Sequence, residues 1–235
     1  VKVRDELIPL LSLCPYINKL ITTKQPNPIT DKYYKLLTDR FVLRMGSSLY
    51  KKSTDVPYLF AKPTTITYWH NALKNDTKYK IGICWQSTKM RDYFTNTIIP
   101  GPRAMKLEQL MPLLQLQNVS IYSLQVGEDA QIVQLNDRGF KIKSIKQLDA
   151  EGAFMDTAAI MENLDLVITV DTSIAHLAGG LGVPVWVMLP CAADFRWFSG
   201  RNDSPFYPTM KLFRQTSPGN WDSVVNAIIT ELKKK

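Results

Sequence analysis

Leu164-Asp-Leu-Val-Ile-Thr-Val170, Asp171-Thr-Ser173 and Ile174-Ala-His-Leu-Ala-Gly-Gly-Leu-Gly182 follow one another without a break in this 235-residue chain, and their reading decides its fold. The first block is an apolar run of strand length and the second a polar turn. The third is a small-residue helix that Gly182 and Pro184 stop. A second apolar strand, Val185-Trp-Val-Met-Leu189, comes at once. A strand that enters a helix through Asp-Thr-Ser leaves backbone N–H groups unpaired beside a positive dipole end, an arrangement that favours an anion. His176 falls in the first turn of that helix, close to the same spot.

The same rhythm extends outward from this stretch. Apolar runs of strand length lie at residues 81–85, 119–124, 140–145, 164–170, 185–189 and 211–213, with helix-length patterns at 106–116, 130–138, 154–163 and 173–181 and a closing amphipathic helix at 221–232. Alternation of this kind predicts an α/β chain with a parallel sheet covered on both faces and wound by right-handed crossovers. In the strand order 3-2-1-4-5-6 the first and fourth strands are neighbours, and ligands bind outside their carboxyl ends. Those ends are Trp85-Gln86-Ser-Thr-Lys89 and Asp171-Thr172-Ser173. No Gly-x-Gly-x-x-Gly follows the first strand, which argues against an NAD-type dinucleotide site.

Residues 1–75 read differently. A short helix, a turn and a strand are expected over 7–21, a turn at 25–28, a helix near 33–43 and another at 64–73. The polar run Asn75-Asp-Thr-Lys78 is the expected boundary between an N-terminal domain (1–75) and a C-terminal one (79–235), whose last helix is free to pack back on the first domain. The net charge of +8 is uneven: residues 1–78 hold 13 Lys+Arg against 6 Asp+Glu, residues 79–235 hold 16 against 15. A basic third of this kind suits a nucleotide, an anionic glycan or peripheral contact with an anionic surface. No aromatic-interleaved basic motif points to nucleic acid, and no apolar run reaches the length of a transmembrane segment. Three cysteines without metal-ligand spacing read as reduced thiols of a cytoplasmic protein.

The residues that carry chemistry follow from the two strand exits. Thr172, Ser173 and the helix start are expected to hold an anion, with Asp171 orienting the turn or binding a sugar hydroxyl. His176 is expected to donate to a phosphate oxygen. Capping alone explains the same residue types. The long polar segment 85–103 offers Lys89, Arg91 and Arg103 as cations. Asp156 reads as opening the helix before the key strand, while Arg196 and Trp197 either stack on a base or sugar or plug the fold. The loop Ser204-Pro-Phe-Tyr-Pro208 shows no chemistry of its own, and His70 reads as a surface residue.

Phe154–Pro190, Asp194-Phe-Arg-Trp197, Asp203–Gln215, Ile83-Cys-Trp85 and Ser123-Leu-Gln125 together resemble the glycosyltransferase-like domain found behind tetratricopeptide repeats in many bacterial proteins. That domain is similar to the heptosyltransferase family and, more distantly, to O-GlcNAc transferases. The resemblance is strong over residues 80–232 and weak over 1–75. It implies a GT-B fold: a C-terminal Rossmann-like sheet that binds a nucleotide-diphosphate sugar, with the acceptor approaching from the N-terminal domain. The family's Asp-(Ser/Thr)-Gly-x-x-His pattern falls on Asp171, Thr172 and His176, with Ser173 in place of the glycine, and its basic position falls on Arg103. Trp85, Gln86, Gln125, Asp156, Arg196 and Trp197 complete the donor-side set, with the base either stacked near Trp197 or hydrogen-bonded along the 125–156 edge.

The implied reaction is transfer of a sugar to a glycan, lipid or protein acceptor. It needs no cofactor beyond the nucleotide sugar as substrate, and no metal, since no Asp-x-Asp occurs. The family's opening Gly-Leu-Gly-Asp loop, which carries its proposed general base, is not found, so the N-terminal domain reads as truncated and no catalytic base is named. The chain is then either a fragment of an enzyme or a degenerate copy, and a non-catalytic interaction module that keeps the fold is the alternative reading.

Overall fold

The computed structural model describes residues 2–22, 24, 56–87, 90–91, 98–99, 103–127, 129–145, 148–150 and 152–234. The turn expected at 25–28, the helix expected near 33–43 and Lys89 lie outside them. Strands β1 (Lys2–Val3) and β2 (Ile21–Thr22) form a parallel pair. The main sheet starts with β3 (Tyr79–Cys84), and the loop after it carries the antiparallel pair β4 (Met90–Arg91) and β5 (Ile98–Ile99). It continues through β6 (Val119–Ser123), β7 (Ile142–Lys143), β8 (Leu166–Val170), β9 (Val185–Leu189) and β10 (Met210–Arg214). The six strands are all parallel, in the order β10-β9-β8-β3-β6-β7. The first and fourth strands of the sheet, β3 and β8, are therefore neighbours, with Cys84 beside Thr169.

Strand periodicity sorts the sheet's side chains into two cores. Ile81, Ile83 and Trp85 point to one face with Ile121, Leu166, Ile168 and Val170. There they meet Leu107, Leu110 and Leu113, then Ile132 and Leu135, then Val224, Val225 and Ile228 of the last helix, Trp221–Leu232. That helix lies on the sheet of its own half. Cys84, Leu124, Val167, Val185 and Val187 point to the other face, against the helices Met155–Met161 and Ser173–Leu181. Each large apolar side chain buried this way contributes about 1.5–3 kcal/mol, so the strands β8 and β9, buried along their whole length, anchor the domain.

Local chemistry adjusts two expected elements. The helix expected at 106–116 is a 3-10 turn, Leu107–Leu110, followed by a short helix, Met111–Leu114. Pro112 has no N–H to give to a preceding turn and so starts a new one. The strand expected at 140–145 shortens to Ile142–Lys143, an edge pair. Asn136 takes over as neighbour there, its carboxamide accepting from the Ile142 N–H and donating to the Ile142 carbonyl, both at 2.9 Å.

The segment 56–73 wraps the helix Ser173–Leu181. The Tyr58 and Leu59 N–H groups both donate to the Gly180 carbonyl, at 2.9 and 3.0 Å. A Cβ at Gly180 would lie 2.8 Å from Leu59 Cδ1, so a larger residue there would have to displace the Leu59 side chain. Cys14 and Tyr16 donate to the Tyr58 carbonyl and tie the first helical turns to the same place. The helix Pro63–Leu73 packs on Met155–Met161 through Trp69 Nε1, which donates to Asp156 Oδ1 at 2.9 Å, and through Asn163 Nδ2, which donates to the Ile66 carbonyl at 3.1 Å.

Asp76, in the polar run before β3, joins this run to the sheet's edge. Lys143 Nζ and Tyr122 Oη donate to its Oδ2 at 2.5 and 2.6 Å. Burial alone would raise the Asp76 carboxyl, but the bonds from Lys143, Tyr122 and Ser120 and the Lys78 N–H outweigh it and hold the group below the usual carboxylate range. A depressed carboxyl stabilises the fold above its unfolded value, about pH 4, and that stability is lost as pH falls below it. Asp76→Asn is expected to lower the melting temperature at pH 7 and to flatten its decline between pH 5 and pH 3, measured by thermal melts across that range. An acid limb as steep as the wild type's would show that Asp76 is not the titrating group.

Candidate functional site

A cleft of about 850 Å³ opens outside the carboxyl ends of β3, β6 and β8. The exit of β3 supplies Cys84, Gln86 and Ser87, and that of β6 supplies Leu124, Gln125, Val126 and Gly127. Asp171, Thr172, Ser173, Ile174 and His176 form the third wall. Arg103, Phe154 and Arg196 close it, and Arg4 and Leu7 reach it from the N-terminal segment. The sheet order alone puts the first two strand exits in question side by side.

The helix start is built by Thr172. Its backbone is extended (φ −139°), and its Oγ1 accepts from the Ile174 N–H at 3.3 Å and sits 3.1 Å from Thr169 Oγ1. The Ala175 N–H goes to the Thr172 carbonyl at 3.1 Å. The cap therefore uses the Thr172 hydroxyl, and Ser173, the first residue of the helix, is exposed and lines the cleft.

Asp171 is 1% exposed and pairs with Arg103, whose Nη1 lies 2.8 Å from Asp171 Oδ2. A buried carboxylate needs such a partner. The pair fixes the guanidinium over the β8 exit and leaves its other N–H groups for an anion. On the far side Arg196 Nε donates to Asp194 Oδ1 at 2.9 Å, and the Arg196 N–H donates to the same oxygen at 3.1 Å. Asp194 thus caps the turn Phe195–Trp197 and orients Arg196 together. Arg4 adds a third guanidinium, and among the described residues Asp171 is the one carboxylate that lines the cleft. Three guanidinium groups therefore stand around the cleft.

His176 is placed differently from the sequence expectation. Its Nδ1 meets Tyr207 Oη at 2.9 Å and its Nε2 is buried, while its ring stacks on Trp197 with centroids 5.1 Å apart. The ring edge reaches the cleft, but its nitrogens do not open onto it. Tyr207, in the loop read as carrying no chemistry, is held against the helix by a missing side chain: a Cβ at Gly179 would lie 2.5 Å from the Tyr207 ring. Nothing periodic in the sequence points to Tyr207; the paired small residues Gly179-Gly180 were its one signal.

The structure brings together Gln86, Arg103, Gln125, Asp171, Thr172, Ser173, His176 and Arg196 at one cleft. Trp85, Asp156 and Trp197 do not line it. Trp85 is fully buried on the opposite face, where its Nε1 donates to Gln131 Oε1 at 3.2 Å. Asp156 is occupied by Trp69 Nε1 and the Asp149 N–H. Trp197, 1% exposed, forms the floor under His176 and touches no open space. Arg4, Leu7 and Phe154 are lining residues that the sequence reading missed, and the first two come from a segment remote in sequence. Cys84, at the cleft's base, is no nucleophile: burial pushes its thiol up to about 11 against weaker hydrogen bonds with Thr172, Thr169 and Gln86.

No protein-family model matches the chain. Protein FlbA of Caulobacter vibrioides is 24% identical over 179 residues, which are 75% of this chain and 29% of that protein. Among solved structures, a glycosyl transferase family 9 protein from Veillonella parvula is similar with a TM-score of 0.50 at 12% identity, over 75% of this chain and 52% of that one. The E. coli heptosyltransferase WaaC, solved with ADP, has a TM-score of 0.49 at 15% identity, over 72% of this chain and 48% of that one. The chain thus spans about half the length of the structures it resembles and under a third of FlbA. The fold is an α/β fold with a six-stranded parallel sheet of the GT-B kind, as the resemblance in the sequence implied.

Removing Arg103 strands a buried carboxylate. Arg103→Ala is expected to destabilise by about 1–3 kcal/mol, below the figure for a fully buried pair because the cleft admits water. Adding Asp171→Asn should recover part of that loss. Chemical denaturation of both variants checks this, and additive effects would show that the pair is not coupled.

Proposed function

We propose that this chain is the nucleotide-sugar-binding part of a glycosyltransferase, with the diphosphate at the Ser173 helix start and the sugar turned toward the N-terminal wall. The observation that carries the reading is the cleft at the β3–β8 switch point. It joins a capped helix N-terminus to an arginine held in place by a buried carboxylate, on a fold shared with a family 9 glycosyl transferase. Arg103 and the helix dipole would stabilise the leaving diphosphate, with Arg4 and Arg196 adding charge around it. With guanidinium groups in that role, the proposed chemistry is metal-independent. The acceptor is a glycan, lipid or protein whose reacting hydroxyl enters beside Arg4 and Leu7. The association with tetratricopeptide repeats belongs to the same proposal. No helix among the described residues is long and apolar enough to cross a membrane.

A second reading has its own observation. The one carboxylate lining the cleft among the described residues is tied to Arg103, which leaves no general base there. A module that binds the nucleotide sugar without transferring the sugar fits that arrangement.

A thermal-shift panel of UDP-, ADP- and GDP-sugars separates these readings from an empty scaffold. Ligand at 100 times its dissociation constant adds about 2.7 kcal/mol, which for a domain of this size raises the melting temperature by about 5–10 °C. The shift is expected to survive EDTA and to be lost in Thr172→Val, whose own loss of the cap costs about 1 kcal/mol. No shift with any nucleotide sugar would overturn the proposal. A shift without release of sugar from the nucleotide, with or without acceptor, would favour the binding module.

A further inference from the structure

The Gln125 carboxamide is locked in one orientation by its neighbours. The Gln86 backbone N–H donates to Gln125 Oε1 at 2.9 Å, and a backbone N–H can only donate, so the atom it meets is the oxygen and the amide is not reversed. The Cys84 thiol donates to the same oxygen at 3.3 Å. Burial keeps that thiol protonated throughout the physiological range, so it remains a donor. The backbone is held as well, by the Leu124 N–H on the Ile83 carbonyl at 2.9 Å and the Gln125 N–H on Ser123 Oγ at 3.2 Å. With both lone-pair directions of Oε1 taken, the side chain offers the cleft two N–H donors and no acceptor. Gln125 Nε2 has no partner among the described residues.

Its position says which part of a ligand it meets. Gln125 follows β6, which lies two strands from β8 in the order β8-β3-β6. Two strand spacings are about 10 Å, the reach from a diphosphate at the Ser173 helix start to the far edge of its nucleoside. Cys84 bridges the interval, with its Sγ 3.9 Å from Thr172 Oγ1 on one side and bonded to Gln125 on the other.

We propose that Gln125 is a specificity-determining residue that presents only donors to the nucleoside, and so selects a base with a carbonyl oxygen at that edge over one with an exocyclic amine. The inference rests on the nucleotide-sugar reading above. A base amine set against the Gln125 amide brings donor to donor, so neither makes the bond that an acceptor would provide, and such a base is disfavoured. Uracil and cytosine share O2 and differ along one edge, at C4 (oxo against amino) and at N3 (N–H against a lone pair), and make the comparison for a donor that meets the C4 substituent.

Titration calorimetry with UDP, CDP and 2′-deoxy-UDP on the whole chain tests it. The wild type should bind UDP about tenfold more tightly than CDP. Gln125→Met should weaken UDP about fivefold and bring the two nucleotides together. Gln125→Glu keeps an oxygen for the Gln86 and Cys84 donors but turns the cleft-facing group into an acceptor, so its preference should invert toward CDP. Thermal melts of both variants check that they are folded. Equal binding of UDP and CDP to the wild type, or an unchanged ratio in Gln125→Glu, would overturn the inference and leave the nucleotide reading standing. Weaker binding of 2′-deoxy-UDP than of UDP, with that difference abolished in Gln125→Met, would move the contact to the ribose and overturn selection at the base. Binding of none of the three would remove the nucleotide reading, and this inference with it.

Discussion

A carboxylate buried at the end of a strand stays charged only with a cation beside it, and the pairing of Asp171 with Arg103 meets that need. The consequence is geometric. Arg103 belongs to the long segment after β3, yet it is held over the exit of β8, so one ion pair joins the two loops of the switch point. It also sets the cleft's sign. With its negative partner buried, the exposed part of the pair is the guanidinium, next to a helix N-terminus of like polarity. Without the pair the cleft would lose both the tie between its two loops and the cation it presents to an anion.

Much of this was legible in the sequence because it rests on period and punctuation. The helices Ser173–Leu181 and Trp221–Leu232 begin and end where their caps and breakers stand: Thr172 and Gly182 for one, Asn220 for the other. Alternation and the handedness of crossovers favour a Rossmann-like wind, and the order 3-2-1-4-5-6 assumed for it is the one observed, with Gln86 and Ser173 at one crevice. Trp85 was misplaced although its signal was present. Ile81, Ile83 and Trp85 share one face of β3 and its extension, while Cys84 and Gln86 share the other, so parity alone sends Trp85 to the far core.

Other features had no local signal. Tyr207 reaches His176 from a proline-framed loop, and its seat exists because Gly179 has no Cβ. Arg4 and Leu7 arrive from the first residues of the chain, which are tied to the helix Ser173–Leu181 through Tyr58 and Gly180. Such contacts depend on tertiary packing, which propensity and pattern do not encode. Asp156 and Trp197 show the reverse case: residue types suited to a ligand that the fold uses for its own hydrogen bonds and stacking. His176 stands between the two, with a ring edge in the cleft and its nitrogens turned to Tyr207 and the interior.

The central claim is that a nucleoside diphosphate lies along the exits of β8, β3 and β6. Backbone amide chemical shifts of the isotope-labelled chain, followed as UDP or ADP is added to saturation, test it most directly. The account predicts the largest changes at Ser173 and Ile174, followed by Gln86 and Gln125, with the Arg103 side-chain resonances moving alongside. Changes centred elsewhere, for instance in the groove that Lys74, Glu162 and Asp165 line on another part of the surface, or none at all, would contradict it.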